Sequence, residues 1–422
     1  MESLPDHILQ YILSNINNAR DVAACNCVSK GWKDSMAYIR SLYFPRNSFD
    51  NLAGNESSDN IIKRMVSTVV RLQELVVYSP FSCFGLASWL SHVGLSLSRL
   101  ELRIENFGNS REFFISGPKL DCIGAARNLK SLKLWRVVMI NYLPQWDVFQ
   151  NLRTLEIIGS ALEAHVLTAV LLSCPYLTRL SLLGCDGARA FSINLQYLEQ
   201  CKLIFRGYGN FSLSLTSPKI ESLEVHGCNW IRVPETKNLR TLSISNTSGK
   251  VYIVDFGHLT ALEFLSMRGV QWRWESICKM LKLASEVKHL YMKIESVADY
   301  VGFYPFPEID FVDFFNNHPK LRKFDIHGGM FAALCQRNSL KHVDPGFVIP
   351  CLEEVVITVK TSLNGGEKIS TLESLLKYGK NLRTMVIRIL QMNYSQSYVS
   401  ADDFFNKICR LRYLNHEIVR IE

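Results

Sequence analysis

One short phrase, Leu-x-x-Leu-x-Leu or a conservative variant, recurs from about residue 70 to residue 387 and leaves few folds open to this chain. In the first half it reads Leu72-Leu75-Val77, Leu97-Leu100-Leu102, Leu129-Leu132-Leu134, Leu152-Leu155-Ile157 and Leu177-Leu180-Leu182. The second half carries Ile220-Leu223-Val225, Leu239-Leu242-Ile244, Leu262-Leu265-Met267, Val287-Leu290-Met292, Leu321-Phe324-Ile326, Leu352-Val355-Ile357 and Leu382-Met385-Ile387. Leu195 to Leu198 reads as a degenerate further copy. The last three positions alternate apolar, polar, apolar, so a short strand buries two side chains on one face and shows the third on the other. The first leucine packs where the strand begins. Copies start about 18 to 34 residues apart, the period of a stack in which each unit touches only its neighbours. A generic α/β sheet would not hold one internal phase a dozen times.

The segments between phrases must return the chain to the next strand. Ala164 to Leu172 and Trp274 to Leu283 read as helices at apolar spacing, and Phe404, Phe405, Ile408 and Leu411 predict a helix closing the stack within 401–422. Residues 43–68, with Pro45-Arg46-Asn47-Ser48 and an Asn/Gly/Ser-rich run, have a linker's composition. Insertions near the C-terminus, Tyr300 to Pro307 and the stretch after Ile326 with Gly328-Gly329 and Asp344-Pro345-Gly346, are expected on one rim.

The first forty residues follow another pattern. Pro5 and Asp6 suit a helix's first turn, and Ile8, Leu9, Ile12, Leu13 and Ile16 form an apolar stripe at helical period. Asn18 and Ser29 can cap second and third helices. Three short helices cannot bury this surface alone, so a partner must cover part of it.

This N-terminal segment resembles an F-box, through Leu4, Pro5, Ile8, Ile12, Leu13, Val28, Ser29, Lys30 and Trp32. Gly31 departs from the Arg or Lys usual in that family and weakens the third helix. The Cys-Pro-Tyr-Leu at 174–177 and the Gly-Cys pairs at 184–185 and 227–228 resemble variants found in F-box-linked leucine-rich repeats, and the overall layout looks most like the plant branch of that family. The resemblance implies an α/β fold: an F-box over 1–42, a linker over 43–68, a curved leucine-rich-repeat solenoid over 69–400 with its parallel sheet inside, and a capping helix over 401–422. It also implies docking of Leu4, Pro5, Ile8, Leu9, Ile12, Leu13, Ile16, Val28 and Trp32 onto a Skp-type adaptor, and through it a cullin–RING ubiquitin ligase. The repeats would hold a protein substrate. Some plant relatives sense a hormone over a basic inositol-phosphate site, but this chain has fewer repeats and no dense basic cluster, so no cofactor is expected. A repeat scaffold without a ligase role is the third reading.

Composition narrows the chemistry. With 48% hydrophobic and 20% charged residues the chain is not a disordered one, and its longest apolar run, Val166 to Leu172, is too short to span a bilayer. No secretory signal is visible, so cytoplasm or nucleus is expected. The twelve cysteines lack zinc spacing and read as reduced, mostly buried thiols. A net charge of +8, spread along the chain, does not argue for nucleic acid. Gly207-Tyr208-Gly209 lacks a third glycine, Gly365-Gly366-Glu367-Lys368 reads as a turn, and no catalytic or metal motif occurs, so the chain is expected to do no bond chemistry. What remains is recognition on the sheet face between and after the phrase leucines: Arg103, Lys133, Trp135, Arg179, Arg268, Tyr291, Lys293, Lys323 and His327. Cations beside aromatics make good interface anchors, and this face is mixed, with Glu101, Glu156, Glu224 and Asp325 at equivalent positions.

Overall fold

A computed structural model of the chain describes residues 4–47, 57–104, 120–139, 143–187, 189–206, 211–247, 249–295, 306–336, 340, 343–360, 364–390 and 398–422. Gly207-Tyr208-Gly209 and residues 300–305 of the aromatic insertion lie outside them. The chain divides into two compact units, Met1–Arg206 and Gly207–Glu422.

In the first unit three helices lead: α1 (Asp6–Ser14), α2 (Ala19–Asn26) and α3 (Lys30–Ser35). Asn18 caps α2, accepting from the Arg20 N–H at 3.0 Å, and Ser29 caps α3, accepting from the Trp32 N–H at 3.3 Å. A parallel ladder follows through Ser41–Phe44, Glu74–Val77, Arg99–Arg103, Ser131–Trp135, Thr154–Ile158, Arg179–Gly187 and Gln200–Phe205. Its register stacks the phrase: Leu42, Leu75, Leu100, Leu132, Leu155, Leu180 and Cys201 form one buried column. Phe44, Val77, Leu102, Leu134, Ile157, Leu182 and Leu203 form the next, and every member of both columns is buried. A one-residue slip would turn both columns to solvent, which is why the phase is kept so strictly.

Two features of this unit differ from the sequence reading. Ile39-x-x-Leu42-x-Phe44 is itself a phrase, hidden behind the N-terminal helices, and its strand pairs with Glu74–Val77. The stretch 43–68 read as a linker therefore holds the end of that strand and the helix Ser58–Ser67, which Ser57 caps and which buries Ile61, Ile62 and Val66. The degenerate copy is also displaced, because the strand is Gln200–Phe205, so Leu198-x-x-Cys201-x-Leu203 is the phrase.

The second unit's ladder runs through Ser222–His226, Thr241–Asn246, Phe264–Val270, His289–Glu295, Lys323–His327, Glu354–Val359, Thr384–Ile389 and Val419–Ile421. Helices return the chain where copies are widely spaced: Trp274–Leu283, Phe311–Asn316, Gly328–Leu334 and Gly365–Tyr378. Between Leu198 and Leu262, where the next copies begin at 220, 239 and 262, strands do so instead. Phe211–Thr216, Cys228–Val233 and Tyr252–Phe256 pair in parallel as a second sheet. A strand advances about 3.3 Å per residue and a helix 1.5 Å, so the shorter connections must return extended. Gly269 shows how tightly these turns close: at φ +126° its Cβ position would fall 1.9 Å from the Asn246 carbonyl oxygen.

The glycine pairs expected as loops open helices. Gly328–Leu334 buries Met330, Phe331 and Leu334. Gly365–Tyr378 follows Asn364, a residue in the left-handed region, and buries Lys368, whose ammonium pKa burial depresses. The C-terminal helix Tyr398–Leu414 buries Phe404, Ile408 and Leu411 and leaves Phe405 half exposed, and the strand Val419–Ile421 follows it.

Candidate functional site

The N-terminal helices separate into an inner and an outer set. Leu9, Leu13, Ala19 and Val22 are buried where α1 and α2 pack on α3, with Leu9 and Leu13 only 4% and 1% exposed. Leu4, Pro5, Ile8 and Val28 are exposed, as is Tyr11, one turn beyond Ile8. Ile12, Ile16 and Trp32 are half-buried between the two sets. Leu9 and Leu13, expected on the docking face, instead hold the helices together. The helical stripe could not distinguish these roles, because it marks apolar positions without saying which side the chain covers itself.

This helical set is spliced to the first repeat. The Tyr43 N–H donates to the Asn17 carbonyl at 2.7 Å, Asn18 and Tyr43 form a parallel bridge, and the Arg20 guanidinium donates to the Asn47 carbonyl. The Tyr43 ring meets Tyr78 edge-on at 5.5 Å, and Tyr78 meets Trp135 at 6.3 Å.

At the centre of that aromatic row stands Glu101, 3% exposed although it occupies an outward strand position. Its carboxylate accepts from the Tyr78 hydroxyl and from Trp135 Nε1 (2.9 Å), and lies 3.3 Å from Arg99 and 3.5 Å from Lys133. Lys133 also reaches Glu156 at 3.5 Å and sits 5.0 Å over the Trp135 ring. Burial alone would raise the Glu101 pKa, but the Tyr78 and Trp135 hydrogen bonds, with Lys133 and Arg99, outweigh it and hold the carboxyl below its usual range. Burial and the Glu101 contact push the Tyr78 phenol well above its ordinary value. Arg103 lies in register with Trp135.

A second cluster occupies the corresponding face of the other unit. Arg268 donates to Ser243 Oγ at 3.1 Å, and Arg268 and Lys293 are register partners on adjacent strands. The Tyr291 ring lies 5.3 Å from that of His327, whose Nε2 is 2.9 Å from Asp325 Oδ1. Arg388 pairs with Glu422 at 2.8 Å. Arg179 and Lys323 stand outside both clusters at strand starts; both are exposed, and Lys323 is paired with Glu354 at 2.8 Å. The structure thus gathers Lys133 and Trp135 around Glu101 with Arg103 in register, and sets Arg268, Lys293, Tyr291 and His327 on adjacent strands; Glu101 as a hub, with Tyr43 and Tyr78 beside it, is not evident from phrase position. Tyr78 occupies the position after the phrase, as Arg103 and Trp135 do, and that shared phase was the signal available.

Among the described residues no group of three His, Cys, Asp or Glu is placed to hold a metal ion, and no helix is long and apolar enough to cross a membrane.

Short helices with an uncovered apolar face, spliced to stacked leucine-rich strands, define an F-box protein with leucine-rich repeats. Residues 1–44 match the family model described as F-box-like. F-box protein At1g10780 of Arabidopsis thaliana is 57% identical over 423 residues, the alignment covering 100% of each chain. F-box/LRR-repeat protein At1g67190 of the same plant is 22% identical over 315 residues, covering 69% of this chain and 70% of its own length. The chain belongs to the F-box protein family.

Proposed function

We propose that this F-box protein is the substrate-recognition subunit of a Skp–cullin–F-box ubiquitin ligase, acting in the cytoplasm or nucleus. The observation that carries the reading is the outer apolar set of the N-terminal helices: Leu4, Ile8, Tyr11 and Val28 stay exposed while Leu9 and Leu13 already satisfy the helices' own core. Exposed apolar residues gathered on a small helical set mark a docking surface, and a Skp-type adaptor is the partner the F-box match supports. The repeats capture a protein to be ubiquitinated, with the Trp135–Lys133 and Arg268–Tyr291 clusters as contact surfaces. No bond chemistry is asked of this chain. Holding the captured protein beside the charged conjugating enzyme raises effective concentration, and transfer belongs to the partners.

Co-purification with a Skp-type adaptor tests this reading. The wild-type chain should retain the adaptor, and Leu4→Ala/Pro5→Ala or Ile8→Asp should lose it without loss of fold. Absence of adaptor binding, or its survival in both variants, would overturn the proposal.

A further inference from the structure

Cations on or just past the strands are commonly matched by a carboxylate from another strand or its end: Lys133 by Glu101 and Glu156, Lys323 by Glu354, Lys360 by Glu295, Arg388 by Glu422. Arg268 and Lys293 break the pattern. They are register partners on adjacent strands, about 4.8 Å apart in the hydrogen-bonding direction. Among the described residues neither has a carboxylate partner; Arg268 meets only the neutral Ser243 hydroxyl, and its Nε has no acceptor. A guanidinium and an ammonium side by side repel each other, and a protein segment presenting an anion would relieve that.

The surroundings fit the same occupant. Ser245, the register partner of Arg268, and Ser266, the register partner of Tyr291, are small, as is Ser243 beneath the guanidinium, and leave the cations uncrowded. Burial and then Asp325 keep the Tyr291 phenol protonated, so its hydroxyl can donate. Burial and the Arg268 charge hold the His226 pKa down, which leaves that ring neutral. Of the carboxylates facing the patch, Asp325 lies against His327 and the Glu224 charge acts on His226.

We propose that the Arg268–Lys293 pair, flanked by Tyr291, is a subsite that takes an oxyanion borne on the captured protein: an Asp or Glu carboxylate, or a phosphoserine phosphate. The subsite rests on the reading of the repeats as a capture surface and names what that surface holds.

The test uses the full chain bound to its adaptor, with N-acetyl-phosphoserine amide, N-acetyl-aspartate amide and N-acetyl-asparagine amide as probes in ligand-observed NMR. The anionic probes should bind saturably and the asparagine probe should not, with binding weakened at least tenfold in Arg268→Gln and in Lys293→Gln. Arg240→Gln, at a cation already near Glu263, should bind as wild type does. Lys293 is exposed, so its variant keeps the test decisive should Arg268→Gln fail to fold. Phosphoserine binding tenfold tighter than aspartate would assign the anion to a phosphorylated segment; equal binding would assign it to an acidic one. Absence of anion binding, or binding indifferent to both substitutions, overturns the subsite. Adaptor retention on the same samples is read separately, so losing it would count against the ligase reading and leave the subsite standing.

Discussion

Glu101 contributes to stability only while ionised, because Tyr78 and Trp135 donate to its carboxylate and Arg99 and Lys133 face its charge. Its folded-state pKa is depressed below the ordinary 4.5. The contribution is therefore complete above that value and is lost as pH falls through the lowered one. Glu101→Gln should cost about 2 kcal/mol at pH 7, since two half-buried donors lose a buried charged acceptor while Lys133 and Arg99 regain water. The variant should also flatten the acid limb of the stability profile, as chemical denaturation across a pH series would show. A loss of stability as steep as that of wild type below pH 4.5 would count against this role. Gly31 works in the other direction. It lies inside α3, and its Cβ position would be 3.9 Å from Leu9 Cδ1, ordinary contact. Gly31→Ala should stabilise the chain by about 0.5–1 kcal/mol, through helix propensity and a less flexible unfolded chain. The sequence marked Gly31 as a weak point; the structure shows that the site has room for the remedy.

Among the elements, legibility followed periodicity. The helices Ala164–Leu172 and Trp274–Leu283 stand where apolar spacing placed them. The inner strands did too, because two leucines per strand must face one core and no register slip is tolerated. The outer strands around Trp230 and Tyr252 went unread. Their alternation is plain in Phe211-Ser-Leu-Ser-Leu, but a returning segment in a repeat stack can be helical or extended, and the short connection is what forces extension. The recognition clusters were legible as positions and not as contacts: the phrase tells which side chains leave the sheet, not that Tyr78 reaches across to Glu101. At the closing helix, Ile408→Ala should cost about 2–4 kcal/mol, since the side chain is fully buried, whereas Phe405→Ala at a half-exposed position should cost far less. Hydrogen exchange should then show Val419–Ile421 opening faster in the first variant and unchanged in the second.

For the molecule as a whole, the twelve free thiols form a built-in footprint. Cys174, Cys185, Cys201, Cys228 and Cys335 are buried, and burial pushes the Cys174, Cys228 and Cys335 thiols up to about 12, so alkylation should reach them only on unfolding. Cys27 and Cys409 are exposed. Cys27 adjoins Val28 on the proposed docking face, while Cys409 lies on the closing helix. Iodoacetamide labelling read by mass spectrometry should modify both in the free chain. Adaptor binding should protect Cys27 and leave Cys409 reactive; equal labelling of Cys27 with and without adaptor would move the docking face elsewhere.

The strand Ser41–Phe44 serves two masters, donating a backbone N–H to Asn17 between the helices and pairing with the first repeats through Glu74–Val77. Its consequence is evolutionary. A recombination event that exchanged N-terminal modules between relatives at residue 40 would part the helices from the strand they are fitted to and seat foreign ones against Tyr43 and Asn47. A fruitful crossover must fall downstream of Asn47, so the heritable unit here is the helices together with a repeat, and grafts made in the laboratory should respect the same seam.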